Sequence, residues 1–451
     1  MNKLKRVGQR LWQGEWIPIG VLVGLVVCLG WANYMPGKYL LGWDSVWSEV
    51  DLGLSWRRAV AGVWQEFQGV GLQGGHGYVS DLVHTSWLAL IALIVPLTDV
   101  RYVSTIVLWG MGVSGAYVLA RSWGGRGGAI VASIIYALHP FTIQQFFVPH
   151  DAFIWLYAFL PWTMVYIYQF LKQGGRNWLL GLLLTQLTMS FAGFIPPQML
   201  TYFVGLGLIG LIYLVATKGK GWKRVVTMGL VVLVAQSYWL LPFVRYVTNG
   251  SRTYLEAKLN TVTTPENELK SRTYGQWSEL ILGKGYYYES LDVIEKVEGS
   301  GPILESWIKY WDGENVRRVM VGVFGLTVLG ALVALGSRSW GKTMVGVVWV
   351  LALVGMRGEV LFTKFASLYV LFGALLIAIL IETIGRIVKR WGQRVVVLVV
   401  VGGMIGVSWP VWQRELFYKR LRVDLPIEYL DLMKEMKQLD KIGRVALLPA
   451  Y

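Results

Sequence analysis

Apolar residues in this chain gather in long runs separated by short polar stretches, and the length of those runs governs every other reading. About 20 consecutive apolar residues in helical form cover the hydrocarbon core of a bilayer. Runs near that length occupy 16–35, 102–120, 129–147, 152–171, 178–194, 198–216, 225–246, 318–336, 365–385 and 395–412, with a shorter one at 343–355. They predict an all-α polytopic membrane protein with about eleven transmembrane helices. Segment 84–97 is also apolar but short, ending near Pro96, and reads as an interfacial or re-entrant piece.

The polar stretches orient these spans. Lys3, Lys5, Arg6 and Arg10 precede the first run, and Arg121 with Arg126, KQGGR, KGKGWKR, SRSWGK and IVKRWGQR follow alternate later ones. The turns 148–151 and 195–197 carry no Lys or Arg. By the positive-inside rule this places the N-terminus in the cytosol and the C-terminus outside, in a bacterial-type inner (plasma) membrane. Counting 84–97 as a full crossing would put the basic loops outside, so that assignment is rejected.

Composition agrees. Of 451 residues 55% are hydrophobic and only 15% charged, with mean hydropathy +0.50, against about 25% charged in a typical soluble domain. The net charge of +15 does not point to nucleic acid, because the cations sit in short clusters between apolar runs. Cys28 lies inside the first run as the one cysteine, so no disulfide within the chain forms. The first run is too long for a typical signal-peptide core and lacks a small-residue cleavage site, so it reads as an uncleaved helix.

The organisation expected is a transmembrane domain over 1–415, with a first outer loop at 36–100 and a large outer loop at 248–317. Residues 416–451 begin a C-terminal outer segment, charged and amphipathic, whose closing RVALLPAY reads as a strand opening a truncated or very small domain. No internal repeat is seen, which disfavours transporters built on inverted repeats.

Candidate chemistry concentrates in the outer loops. Asp44, Glu49 and Asp51 stand close together among tryptophans after the first helix. A carboxylate partly desolvated by such neighbours gains basicity and suits a general base on a hydroxyl; in helical form Asp44 and Asp51 would share a face. Tryptophans there also serve as interfacial anchors. Arg57 and Arg58 precede a glycine-rich stretch, Trp64 to Gly77, whose amides could approach a phosphate; it lacks the lysine and the preceding strand of a nucleotide loop. His76, Asp81 and His84 are candidate metal ligands, as well as ordinary polar loop residues. His150 and Asp151 occupy a short outer turn, with Asp151 opening a helix. Arg357, Glu359 and Lys364 fall on another outer turn, where a lipid-linked phosphate or lipid headgroups would account for the cations. Tyr286–Tyr288, Trp277, Trp307 and Trp311 give the 248–317 loop either a sugar-stacking surface or the core of a small cap.

Taken in this order, the pieces resemble the GT-C superfamily of membrane glycosyltransferases, over about residues 10–415. The similarity is nearest to bacterial arabinofuranosyltransferase-like and YfhO-like proteins, in Gly77-Tyr-Val-Ser-Asp81, Tyr117 to Gly124 and Ala137-Leu-His-Pro140. The resemblance implies a cytosolic N-terminus, an essential acid in the first outer loop and a polyprenyl-phosphate-linked sugar donor, with a glycan or lipid acceptor. It would make Asp44 the catalytic acid residue, with His150 and Asp151 the second outer element and Arg357 or Lys364 the donor-phosphate partner. The first loop has no DxD and the chain no WWDYG-type motif, so it is not an oligosaccharyltransferase, and a divalent metal stays an open option. The rival readings are a transporter or flippase of lipid-linked sugars and a non-catalytic envelope-assembly protein.

Overall fold

The computed structural model describes residues 15–42, 48–65, 72–73, 75, 77–249, 276–285, 302–357 and 364–438. Among them run fifteen helices of eight residues or more. The first half holds α1 (Trp16–Asn33), α2 (Leu52–Val60), α3 (Leu82–Ile91), α4 (Val100–Ala120), α5 (Arg126–Leu138), α6 (Pro140–Phe147), α7 (Asp151–Gln173) and α8 (Arg176–Met189). The second holds α9 (Pro196–Ala216), α10 (Trp222–Asn249), α11 (Glu314–Leu335), α12 (Trp340–Arg357), α13 (Ala366–Ile387), α14 (Lys389–Val407) and α15 (Ile427–Gln438). Strand structure is confined to two antiparallel ladders among the described residues, β1 (Tyr39–Leu40) with β4 (Arg422–Val423) and β2 (Trp64–Gln65) with β3 (Leu72–Gln73).

Each expected span has a helix at its place, but not every helix is long enough to cross alone. Among the described residues eight are long and apolar enough, and α5 with α6 makes a ninth as a pair bent by 43°. Pro140 causes the bend. The residue before a proline is pushed out of helical conformation, and His139 is extended at ψ 139°. The chain then restarts with Pro140 in the first turn of α6, where its missing N–H costs nothing, and His139 Nδ1 accepts from the Phe141 amide at 3.2 Å. The other two expected spans are α8, which passes into a 3₁₀ turn at Ser190–Phe194, and α14, which ends before the short helix Trp409–Trp412. The count of eleven crossings is therefore not established. Segment 84–97 holds the last eight residues of the ten-residue α3, which is too short to count as a crossing helix.

Burial separates centre from rim. The spanning stretch of α7 is 83% buried and that of α13 78%, whereas those of α1 and α10 are 28% buried and present apolar side chains outward. In lipid, helices associate through close backbone approach more than through hydrophobic exclusion, so small residues mark the contacts. Gly112 and Gly115 of α4 face Tyr157 and Trp162 of α7, and Trp162 Nε1 donates to the Met111 carbonyl at 2.9 Å. Gly128 of α5 and Gly330 of α11 lie against the α13 backbone at Ala378 and Leu376.

Contacts between helix ends sort the bundle into two ends. At one, Tyr34 after α1 donates to Asp99 before α4 (3.0 Å), and Tyr418 donates its amide to Phe147 at the end of α6 (2.8 Å). Asn33 ties α1 to the chain after α14 through Val411 O (2.8 Å) and the Leu416 amide (3.0 Å). At the other end, Gly125 donates to Glu382 of α13 (3.0 Å), and Arg224 of α10 donates to the Leu171 carbonyl of α7 (2.7 Å). The ends grouped here are those the charge pattern assigns to one side of the membrane.

The large loop resolves one alternative. Trp307 and Trp311 are buried, with indole N–H groups donating to Glu415 O (2.8 Å) and Val407 O (3.0 Å). They are the core of a cap on the end of α14, not an open stacking surface. Trp277 remains half exposed, and Tyr286–Tyr288 lie outside the described residues.

A Cβ at Gly330 would fall 2.4 Å from the Leu376 carbonyl oxygen, a backbone atom that cannot swing aside. Gly330→Val is expected to destabilise the purified protein by about 1–3 kcal/mol. An unchanged melting temperature in detergent would show that α11 does not seat on α13 here.

Candidate functional site

The second residue of α4 is an arginine, at the helix end where backbone amides already carry partial positive charge. Arg101 is nonetheless 3% exposed. Such a cation persists only if it is paired and hydrogen-bonded, and two carboxylates from distant parts of the chain meet it. Glu49, 1% exposed and on the short 3₁₀ turn Ser48–Val50, faces the guanidinium edge-on, with Nε–Oε1 2.5 Å and Nη2–Oε2 3.1 Å. Asp151 takes Nη1 at 2.8 Å. As the first residue of α7, Asp151 stands where free amides favour an acid, so the local sequence supports its charge before Arg101 adds to it.

A second pair abuts the first. Asp81 precedes α3, and its carboxylate accepts from Thr85 Oγ1 (2.9 Å) and lies 2.7 Å from His84 Nδ1. His84 Nε2 points toward Asp151 Oδ2 at 3.8 Å, linking both pairs into one row: Asp81, His84, Asp151, Arg101, Glu49. The imidazole stacks on Phe191 (4.2 Å between centroids) and meets the edge of Trp155 (5.9 Å), and all five charged or titratable groups are buried. Burial by itself would lower the His84 pKa. The hydrogen bond and charge of Asp81, with the charge of Asp151, outweigh burial and the opposing Arg101, so the net shift is upward from 6.5.

The remaining candidates divide. His150 caps α7 beside Asp151 and meets Phe153 edge-on at 5.1 Å. Lys364 holds its ammonium 4.7 Å over the Phe153 ring, and its carbonyl accepts from Thr201 (3.0 Å), so this cation is brought to the first turn of α7. Arg357 closes α12 and lies 5.2 Å over the Trp277 ring. Arg57 and Arg58 occupy the last turn of α2, where cations complement unpaired carbonyls. Asp51 caps α2 by accepting from Leu54 N at 2.9 Å, and its φ of −150° interrupts the helix, so no continuous helix joins Glu49 to α2. Asp44, His76 and Glu359 lie outside the described residues. Among the described residues no group of three or more His, Cys, Asp or Glu is placed to hold a metal ion. Asp81 and His84 bond to each other, while Asp151 is held by Arg101.

Arg101 was missed by reading loops for chemistry, since it lies just inside the apolar run. A signal was present: with Asp99, it is one of only two charged residues in 97–120, and it stands at the wrong helix end for a cation. Phe191 and Trp155 carry no such mark in the sequence.

No family model and no curated protein matches the chain by sequence. Its fold does match solved structures. The arabinofuranosyltransferase AftD from Mycobacteria superposes with TM-score 0.64 at 15% identity, covering 94% of this chain and 28% of that one. The Archaeoglobus fulgidus oligosaccharyltransferase, tethered with an acceptor peptide containing the NVT sequon, superposes with TM-score 0.51 at 10% identity, covering 95% of this chain and 58% of that one. The chain thus spans under a third of the first and somewhat over half of the second. The architecture is a multi-pass membrane bundle of the GT-C type, the fold these glycosyltransferases share.

Removing one partner of a buried ion pair costs about 3–5 kcal/mol, because the other charge is left unpaired. Arg101→Gln is expected to lose that much stability, and Arg101→Gln with Glu49→Gln less than the sum of the single changes. Additive losses in a thermal double-mutant cycle would refute the pairing. Because folding raises the His84 pKa, its contribution is complete below pH 6.5 and fades as pH rises through the folded value. Asp81→Asn is therefore expected to cost more stability at pH 6 than at pH 9; equal costs would show that His84 is not charged through Asp81.

Proposed function

We propose that this chain is a membrane glycosyltransferase that moves a sugar from a polyprenyl-phosphate donor to an extracytoplasmic glycan or lipid acceptor. The observation that carries this reading is the buried row around Arg101, which fixes Asp151 at the end of the bundle where the first loop, the head of α7 and Lys364 meet. The shared fold with an arabinofuranosyltransferase and an oligosaccharyltransferase supports it independently.

In this mechanism Asp44 removes the proton of the acceptor hydroxyl as its oxygen attacks the anomeric carbon. The bond from that carbon to the phosphate oxygen breaks, and the lipid phosphate departs carrying the electron pair. Lys364, with Arg357, meets the charge that develops on the leaving phosphate, the usual electrostatic contribution to such a step. Glu49 is a positioning residue whose two oxygens aim Arg101, and Arg101 in turn holds Asp151. His150, Arg57 and Arg58 are assigned to binding the donor headgroup. The described residues nearest Asp44 in the sequence are fixed, Leu41 by its amide bonded to Leu421 O (2.7 Å) and Glu49 by Arg101. A divalent ion, if one takes part, would compete with Arg101 for Asp151. The charge pattern puts this end outside the cell, with the N-terminus in the cytosol.

In membranes supplied with a labelled polyprenyl-phosphate sugar, Asp44→Asn at normal expression is expected to reduce transfer about 10²–10⁴-fold, the range of a lost general base. Lys364→Gln should reduce it about 10²-fold. Undiminished transfer by Asp44→Asn would remove the assigned base. Movement of the labelled lipid across proteoliposomes without transfer would instead make the chain a flippase.

A further inference from the structure

At the far end of the bundle α1, α4, α7 and α8 enclose a cavity of about 330 Å³ that the proposed transfer does not use. Arg101 and Arg121 are twenty residues apart at the two ends of α4, which at 1.5 Å per residue sets the cavity about 30 Å from the buried row. That is the thickness of the hydrocarbon core, so the cavity lies at the opposite membrane interface. Its walls are apolar and aromatic, with Ile19, Val118, Trp162 and Trp178 among them, and its charged and amide groups come from helix ends: Glu15 before α1, Arg121 after α4, and Gln169, Lys172 and Gln173 in the last two turns of α7. An apolar pocket of about 300–1,000 Å³ with a few convergent polar groups is the usual form of a small-molecule site.

The charges in it are unequal in availability. Glu15 is neutralised within the protein: Tyr117 donates to it, Arg121 reaches both its oxygens (3.2 and 3.0 Å), and Arg126 adds a second cation at 3.3 Å. Burial would raise its pKa, but Arg121, Tyr117 and Arg126 hold it below the usual carboxylate value, so it stays ionised and paired. The remaining Arg121 nitrogen donates to Gly124 O (3.1 Å). Lys172, by contrast, is exposed, lies 5.5 Å over the Tyr168 ring, and makes no ion pair among the described residues. Beside it Gln173 donates to Gln169 (2.6 Å), and both amides are in the cavity lining.

We infer that this cavity binds an anionic glycerophospholipid, its phosphate at Lys172 and its first acyl carbons against the wall of Ile19, Val118 and Trp162. A ligand with one anionic, hydrogen-bonding end and one apolar end fits that division. A basic pocket between membrane helices on the side rich in cationic loops is where anionic headgroups are recognised. The occupant bridges α1, which is otherwise little buried, to the central α4 and α7.

The test is native mass spectrometry of the full-length protein in detergent with dioleoyl phosphatidylglycerol, dioleoyl phosphatidylcholine or inorganic phosphate. Phosphatidylglycerol is expected to be retained in preference to phosphatidylcholine. Lys172→Gln should weaken it about fivefold, as loss of about 1 kcal/mol per basic residue gives, Lys172→Glu should weaken it further, and Lys172→Arg should restore it. Equal retention of the two lipids, or no response to Lys172→Glu, overturns the inference. Displacement by millimolar phosphate would reassign the site to free anions. Lys172 is exposed and outside the bundle core, so these variants fold, and binding is read without any transfer assay.

Discussion

A guanidinium in the first turn of a membrane helix stays there only where carboxylates come to meet it, and Arg101 imposes that condition on three separate parts of this chain. The first loop must turn at Ser48–Val50 to deliver Glu49, and α7 must begin at Asp151 beside the head of α4. In turn α3 must lie across both to place His84 and Asp81. Each demand is satisfied by local preference as well: an acid at a helix N-terminus, a proline-led entry into α4, a short apolar helix that does not cross. The cost of leaving any member unpaired is what makes the arrangement cooperative.

The rest of the bundle serves to hold that point rigid. α7 and α13 are surrounded by other helices, so the residues that follow Asp151 are fixed over the whole thickness of the protein. Glycines on α4, α5 and α11 bring backbones close enough for dispersion contacts to replace the hydrophobic effect that lipid does not supply. The chain after α14 returns across the same end, bonding through Asn33, Phe147 and the β1–β4 ladder. A site between loops is thereby tied to both the first and last spans.

The two ends of α4 show the same chemistry used for different purposes. At one, Arg101 is sealed with Glu49 and Asp151; at the other, Arg121 and Arg126 neutralise Glu15 at the rim of an open cavity. Burial distinguishes them. The first group excludes water and fixes geometry, while the second leaves exposed cationic and amide groups beside apolar walls.

By itself the sequence determined that the chain is helical, that it crosses a membrane many times, and which helix ends lie together. Those properties depend on apolar length and on where Lys and Arg stand, both local quantities. It also marked Glu49, Asp81, His84 and Asp151 as candidates, because acids and histidines are scarce in so apolar a chain. Only the tertiary structure decided that these four converge, since Glu49 and Asp151 are a hundred residues apart and nothing in their spacing pairs them. Only it showed that Arg101 joins them, that Pro140 splits one span in two, and that Trp307 and Trp311 are core rather than surface. Each of those outcomes depends on which helices pack together, and that is settled by small-residue contacts and buried charge pairing across distant parts of the chain.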